Sequence, residues 1–132
     1  MYKILGIVNI VAIVILTSPL WLRKLNQWFF HIRDPRFNKV IKALRTIHKP
    51  LGIALIFGLI PIHGYLALGG IRLHTGSIAE IAGVTAAVLG LIFFIRKKPP
   101  GLLKAHRWAA LLFIVLIAVH LLFPNLLYTL TN

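Results

Sequence analysis

The chain contains no cysteine. Disulfides, cysteine-ligated iron–sulfur clusters and covalent haem attachment through C-x-x-C-H are therefore excluded. Acid is almost as scarce: Asp34 and Glu80 are the only carboxylate side chains among 132 residues. Charged residues make up 13% of the chain and hydrophobic ones 59%. Soluble domains are about half apolar and about a quarter charged. The composition therefore points to a membrane protein, and composition rather than length decides the class.

What charge there is has one sign. Fifteen Lys and Arg give a formal net charge of +13. A basic nucleic-acid binder carries its charge on a water-exposed fold. Here the cations sit between long apolar runs, so membrane lipid is the expected partner and nucleic acid is not.

About twenty apolar residues cross a hydrocarbon core of roughly 30 Å. Four runs meet that length: Ile4–Leu22, Pro50–Gly70, Gly76–Ile95 and Trp108–Leu130. Backbone polar groups in hydrocarbon must be satisfied within the segment, so these runs are helices. The first resembles a signal peptide but lacks a clear A-x-A-like site, and it reads as a retained helix. Val40, Ile41, Leu44, Ile47 and Leu51 continue at helical spacing upstream of the second run. Pro50 removes one backbone bond and is expected to bend that helix near His48. Pro-Pro-Gly at 99–101 forces a break before the last helix. The expected fold is all-α: a single transmembrane domain over 1–132, an up-down four-helix bundle with helices at about 4–22, 38–70, 76–95 and 101–130.

Basic residues set the expected orientation. Arg23, Lys24, Arg33, Arg36, Lys39, Lys42, Arg45 and Lys49 lie between helices one and two. Arg96, Lys97, Lys98, Lys104 and Arg107 lie at the junction of helices three and four. Both groups fall on one face of an up-down bundle, leaving Lys3 and Arg72 on the other. The positive-inside rule places the larger group in the cytoplasm and both termini outside, in a membrane expected to be a prokaryotic cytoplasmic one. Trp21, Trp28 and Trp108 then lie near the cytoplasmic interface, where Trp is favoured.

The chain also repeats itself. Helix two carries His48-Lys49, then Gly52, then His63; helix four carries His106-Arg107, then Ala110, then His120. Helices one and three carry no histidine within their apolar runs. The separations are 15 and 14 residues. At 100° per residue these leave a turn of about +60° and about −40°, so each pair keeps broadly to one stripe, with a rise of roughly 21–22 Å. Helices two and four run in the same direction, so His48 faces His106 at the cytoplasmic level and His63 faces His120 in the outer half.

Imidazoles facing each other across a bundle suit six-coordinate haem iron. Propionates want cations, and Arg45, Lys49, Lys104 and Arg107 accompany the inner pair. Arg72 and His74 are candidates for the outer one. Gly52 and Ala110 would give room to a flat cofactor. Leu55, Leu59, Phe113 and Ile117 continue the stripes and are expected to pack between two haems. Lone histidines in membrane helices also serve as hydrogen-bond partners. Yet His63 and His120 lie well inside apolar runs, where polar residues are rare and usually functional.

On these four histidines the chain resembles the membrane di-haem b-type cytochromes, including the cytochrome b core of quinol-oxidising complexes and the ferric-reductase-like membrane domains. The resemblance implies two non-covalent haem b groups with iron held by His48, His63, His106 and His120. It also implies electron transport across the membrane, with a redox partner subunit and quinone as partners. The separation of 15 is long for the pattern, and Pro61 just before His63 is expected to distort the helix and adjust the register. No flavin- or NAD-binding stretch is present, which leaves the electron donor to another chain. No general base is evident, so an electron-transfer subunit is expected rather than a stand-alone enzyme.

The remaining polar residues have simpler readings. His31 and Asp34 belong to a solvated or headgroup-facing connector. His74 and Glu80 flank the outer end of helix three and are quinol candidates, with capping or interface roles the plainer account. Gly76, Gly83 and Gly90 recur every seven residues and read as close helix packing. A small multidrug-type transporter needs a midplane acid, and Glu80 is too near one end. A non-redox anchor binding a divalent metal needs converging histidines, and these are about 21 Å apart along the axis. The orientation is directly testable. Impermeant thiol reagents should label Leu73→Cys and Asn132→Cys in intact cells but not Lys97→Cys; labelling at position 97 alone would reverse the topology.

Overall fold

A computed structural model describes residues 2–70, 73–97, 99–124 and 126. Arg72 and the expected helical stretch 127–130 lie outside the described residues. Among the described residues there is no strand. Four helices there are long and apolar enough to cross a membrane: Lys3–Phe30, Pro35–Leu68, Thr75–Ile95 and Pro100–Leu122. The fold class is all-α, and the chain is an integral membrane protein. It forms two compact units, Met1–Leu59 and Ile60–Asn132.

The first unit is a hairpin of α1 (Tyr2–Leu25) and α2 (Pro35–Ala54). Helix α1 runs beyond the expected 4–22 and closes in a π-helical turn, Asn26–Phe30. Asn9, Ala12, Ile13 and Ser18 are buried on α1, and Ile41 on α2. Outward residues such as Ile4, Val11 and Val14 are exposed, as a surface for lipid tails requires. Pro19 lies inside α1 and has no N–H for the Ile15 carbonyl. Ser18 Oγ replaces it, donating to Ile15 O at 2.7 Å.

A rigid turn joins the two helices. Ile32 N donates to Asn26 Oδ1 at 2.7 Å, and Asn26 Nδ2 donates to Ile32 O at 3.1 Å. His31 takes a left-handed conformation, with φ 51°, and its N–H donates to Asn26 O at 2.8 Å. Asp34 then caps α2: its Oδ1 accepts from Arg36 N at 2.7 Å, with Pro35 opening the helix. That cap starts the second helix three residues before the expected 38. The helix continues unbroken through Pro50 to Ala54, then passes into a π-helical turn, Leu55–Leu59. Leu55 is fully buried in this unit. Asn9 Nδ2 donates to Leu59 O at 3.4 Å, so a polar group on α1 meets the π turn.

The second unit contains α3 (Ile60–Leu68), α4 (Thr75–Ile95) and α5 (Pro100–Leu122). Gly69, at φ +66°, ends α3 in the left-handed conformation that favours glycine. Helices α4 and α5 form an antiparallel hairpin. Thr75, Ala79, Ala82, Gly83 and Ala86 make a buried small-residue stripe along α4, which lets the backbones approach. Phe113 is the buried residue of α5. Helix α5 ends at Leu122, and the rest of the expected span to 130 lies largely outside the described residues. Pro124 ends the helix: the residue before proline is driven out of the helical region, and Phe123 sits at φ −136°, ψ 64°.

The Asp34 cap carries a measurable share of the first hairpin's stability. Asp34→Ala should cost about 1 kcal/mol and lower the thermal midpoint in detergent, while Asp34→Asn should restore most of it. An unchanged midpoint for the alanine variant would show that the turn is held by Asn26 alone.

Candidate functional site

The two hairpins share one feature that the repeat in the sequence foreshadows. In each, the first histidine of the second helix reaches back to a backbone carbonyl of the first. His48 Nδ1 lies 2.8 Å from Leu16 O on α1. His106 Nδ1 lies 2.7 Å from Ala86 O on α4. A carbonyl only accepts, so in both rings Nδ1 carries the proton. In the neutral imidazole Nε2 then holds the lone pair. Both rings are half-buried.

His120, near the end of α5, obeys the same rule by a different acceptor. Its Nδ1 is 2.7 Å from Thr75 Oγ1. Thr75 donates its single hydroxyl proton to Pro124 O at 3.1 Å, so Oγ1 is left to accept from His120. On its other side the His120 ring meets His74 edge-to-face, with centroids 5.5 Å apart. His74 Nδ1 is 2.7 Å from Ser77 Oγ. His63 is half-buried on α3, and a Cβ at the next residue, Gly64, would lie 4.0 Å from His74 Cε1. The second unit thus gathers His74 beside both His120 and the neighbour of His63.

Glycines on α4 admit the rings of α5. A Cβ at Gly90 would lie 3.1 Å from His106 Nδ1. One at Gly76 would lie 3.2 Å from His120 Cε1 and 2.6 Å from His74 Nε2. Gly90 is one turn after Ala86, on the same face, so its missing Cβ is what lets His106 reach the Ala86 carbonyl. The seven-residue glycine spacing reads from sequence as helix packing; at two of the three positions the packed partner is a histidine ring. Gly52 faces Leu16, whose side chain would be 3.5 Å from an added Cβ, an ordinary contact.

The other expected residues fall as follows. Arg45, Lys49, Lys104 and Arg107 are exposed beside the half-buried His48 and His106. Ala110, Leu59 and Ile117 are half-buried, Leu55 and Phe113 buried. His48 belongs to the first unit; His63, His106 and His120 belong to the second. Among the described residues no three of His, Cys, Asp and Glu converge as ligands for a single metal ion. Leu16 and Ala86 act through backbone carbonyls, which no side-chain pattern reveals. Thr75 and Gly90 leave only a faint signal, as small residues on a helix opposite a histidine.

Comparison with protein-family models, with curated proteins and with solved structures returns no match.

The notch at Gly90 is open to test. Gly90→Val should displace His106 from Ala86 and lower thermal stability, whereas Gly101→Ala, with no heavy atom within 4 Å of its Cβ, should be neutral or stabilising. Nitrogen-15 NMR of the imidazoles checks it: the His106 Nδ1–H tautomer should dominate in the parent and become mixed in the valine variant. A tautomer unmoved by valine would show that the glycine is not needed.

Proposed function

We propose that the chain is a di-haem b-type membrane cytochrome in which His48, His63, His106 and His120 are the axial ligands. The observation that carries this reading is that Nδ1 of three of those rings lies against an oxygen of a neighbouring helix. A metal-ligating histidine almost always donates its other ring N–H to a carbonyl, carboxylate or water, which fixes the ring and raises its basicity. His48 and His106 donate from Nδ1 to backbone carbonyls, and His120 to a hydroxyl. In each ring Nε2 is the nitrogen with the lone pair, as ligation requires.

The π-helical turn at Leu55–Leu59 supports the same reading. A π turn amounts to one residue inserted into an α-helix. The separation of 15 between His48 and His63 then counts as 14 regular residues, the separation on α5. The ligand pairing proposed from the topology is by depth, His48 with His106 and His63 with His120. Arg45, Lys49, Lys104 and Arg107 provide cations for inner propionates, and Gly52 lies one turn beyond His48.

When bound, haem supplies the one-electron chemistry of its iron. The chain's own residues hold the rings, compensate the anionic propionates and keep water out with apolar side chains. Function in this reading is electron transport across a prokaryotic cytoplasmic membrane, with both termini outside, between a redox partner subunit and quinone or another acceptor.

One absorption spectrum, oxidised and then dithionite-reduced, tests the cofactor; the purified protein should show a reduced b-type spectrum with two haems per chain. The pairing is tested by leucine substitution at each ligand. His48→Leu and His106→Leu should lose the same haem or make it five-coordinate, and His63→Leu and His120→Leu the other. Retention of two full haems by all four variants would remove these histidines as ligands.

A further inference from the structure

Resting on the haem reading, we infer that Thr75 is a positioning residue that sets the donor strength of His120, and through it the potential of the outer haem alone. Thr75 is buried, at 6% exposure, in the first turn of α4. Its hydroxyl stands between two groups of α5 and its end: it accepts from His120 Nδ1 at 2.7 Å and donates to Pro124 O at 3.1 Å. Helix α5 has ended at Leu122, and the Pro124 carbonyl beyond it lies within reach of the Thr75 hydroxyl. Thr75 donates to that carbonyl, and the direction of that bond fixes the direction of the other.

His120 therefore differs from His48 and His106, whose Nδ1–H groups meet backbone carbonyls. Hydrogen bonding at the non-ligating nitrogen raises the basicity of the ligating one. A more basic imidazole favours the ferric state and lowers the potential. Thr75 is thus a side chain by which the strength of one ligand is adjusted, whereas a backbone carbonyl cannot be changed by substitution. His74, edge-on to His120, and Gly76, with no Cβ to push the ring, hold the imidazole in the plane where Thr75 can accept.

The test is a potentiometric titration of the purified, haem-loaded full chain, with Thr75→Val, Thr75→Ala and Thr75→Ser. Valine keeps the shape and removes the acceptor. The midpoint of one haem should shift upward in the valine and alanine variants, with the other unchanged and serine close to the parent. That haem should be the one lost in His120→Leu. Loss of that haem in valine and alanine but not serine would equally show that the hydroxyl holds His120 in place. Two unshifted midpoints in the valine variant, or equal shifts in both haems, would overturn the role of Thr75 and leave the cytochrome reading standing. A parent protein that binds no haem would overturn both.

Discussion

An unpaired polar group in hydrocarbon costs several kcal/mol, and the internal structure of each hairpin is arranged around that cost. The helices satisfy their own backbones, so the problem is confined to prolines, helix ends and the few polar side chains. Most are met locally, the buried Asn9 Oδ1 being an exception among the described residues. Ser18 takes up the Ile15 carbonyl that Pro19 leaves without a donor. Thr75 takes up the Pro124 carbonyl beyond the end of α5. His48 and His106 turn Nδ1 toward Leu16 and Ala86 on the neighbouring helix. A histidine treated in this way is fixed in rotation and in tautomer at once. Satisfying one nitrogen in an apolar setting therefore decides what the other can do. A ring held for burial alone and a ring held for ligation share this first step, and an absorption spectrum of the purified protein separates them.

The elements most legible in the sequence were those governed by length and hydropathy. The four spans follow from apolar runs, and the break between α4 and α5 follows from Pro99 and Pro100. Helix ends were less legible because local chemistry overrides hydropathy there. Asp34 with Pro35 starts α2 early, although neither is apolar. Pro124 ends α5 at Leu122 although the apolar run continues beyond it in the sequence. At the candidate site the histidines themselves stood out, being rare polar residues in apolar surroundings. Their partners did not. A carbonyl at Leu16 or Ala86 is invisible in a residue pattern, and Gly90 looks the same whether it admits a helix backbone or an imidazole.

The two hairpins solve one problem with different materials. In the first, a π-helical turn follows His48 on the second helix, and Asn9 on α1 donates to its last carbonyl. In the second, α5 is regular from Pro100 to Leu122, and adjustment falls to the partner helix, whose glycines and alanines yield space. A π turn costs hydrogen-bond geometry and persists where something rewards it. Small residues cost lipid-facing apolar area but permit close backbones.

Charge then acts on a different scale from ligation. The cations of Arg45, Lys49, Lys104 and Arg107 are exposed, on long flexible side chains, at the ends of the spans. Such charges fix orientation in the membrane through anionic lipid and the insertion rule, whatever the interior contains. They also lie within a turn of His48 and His106, so a cofactor with anionic side arms would meet them without any special arrangement. Around His120 the short-range groups are the Thr75 hydroxyl and the His74 ring, itself within hydrogen-bond distance of Ser77, and Arg72 lies outside the described residues. Exposed charges and buried hydrogen bonds respond to different perturbations. Ionic strength and lipid charge would act on the first, and single side-chain substitutions such as those at Thr75 on the second.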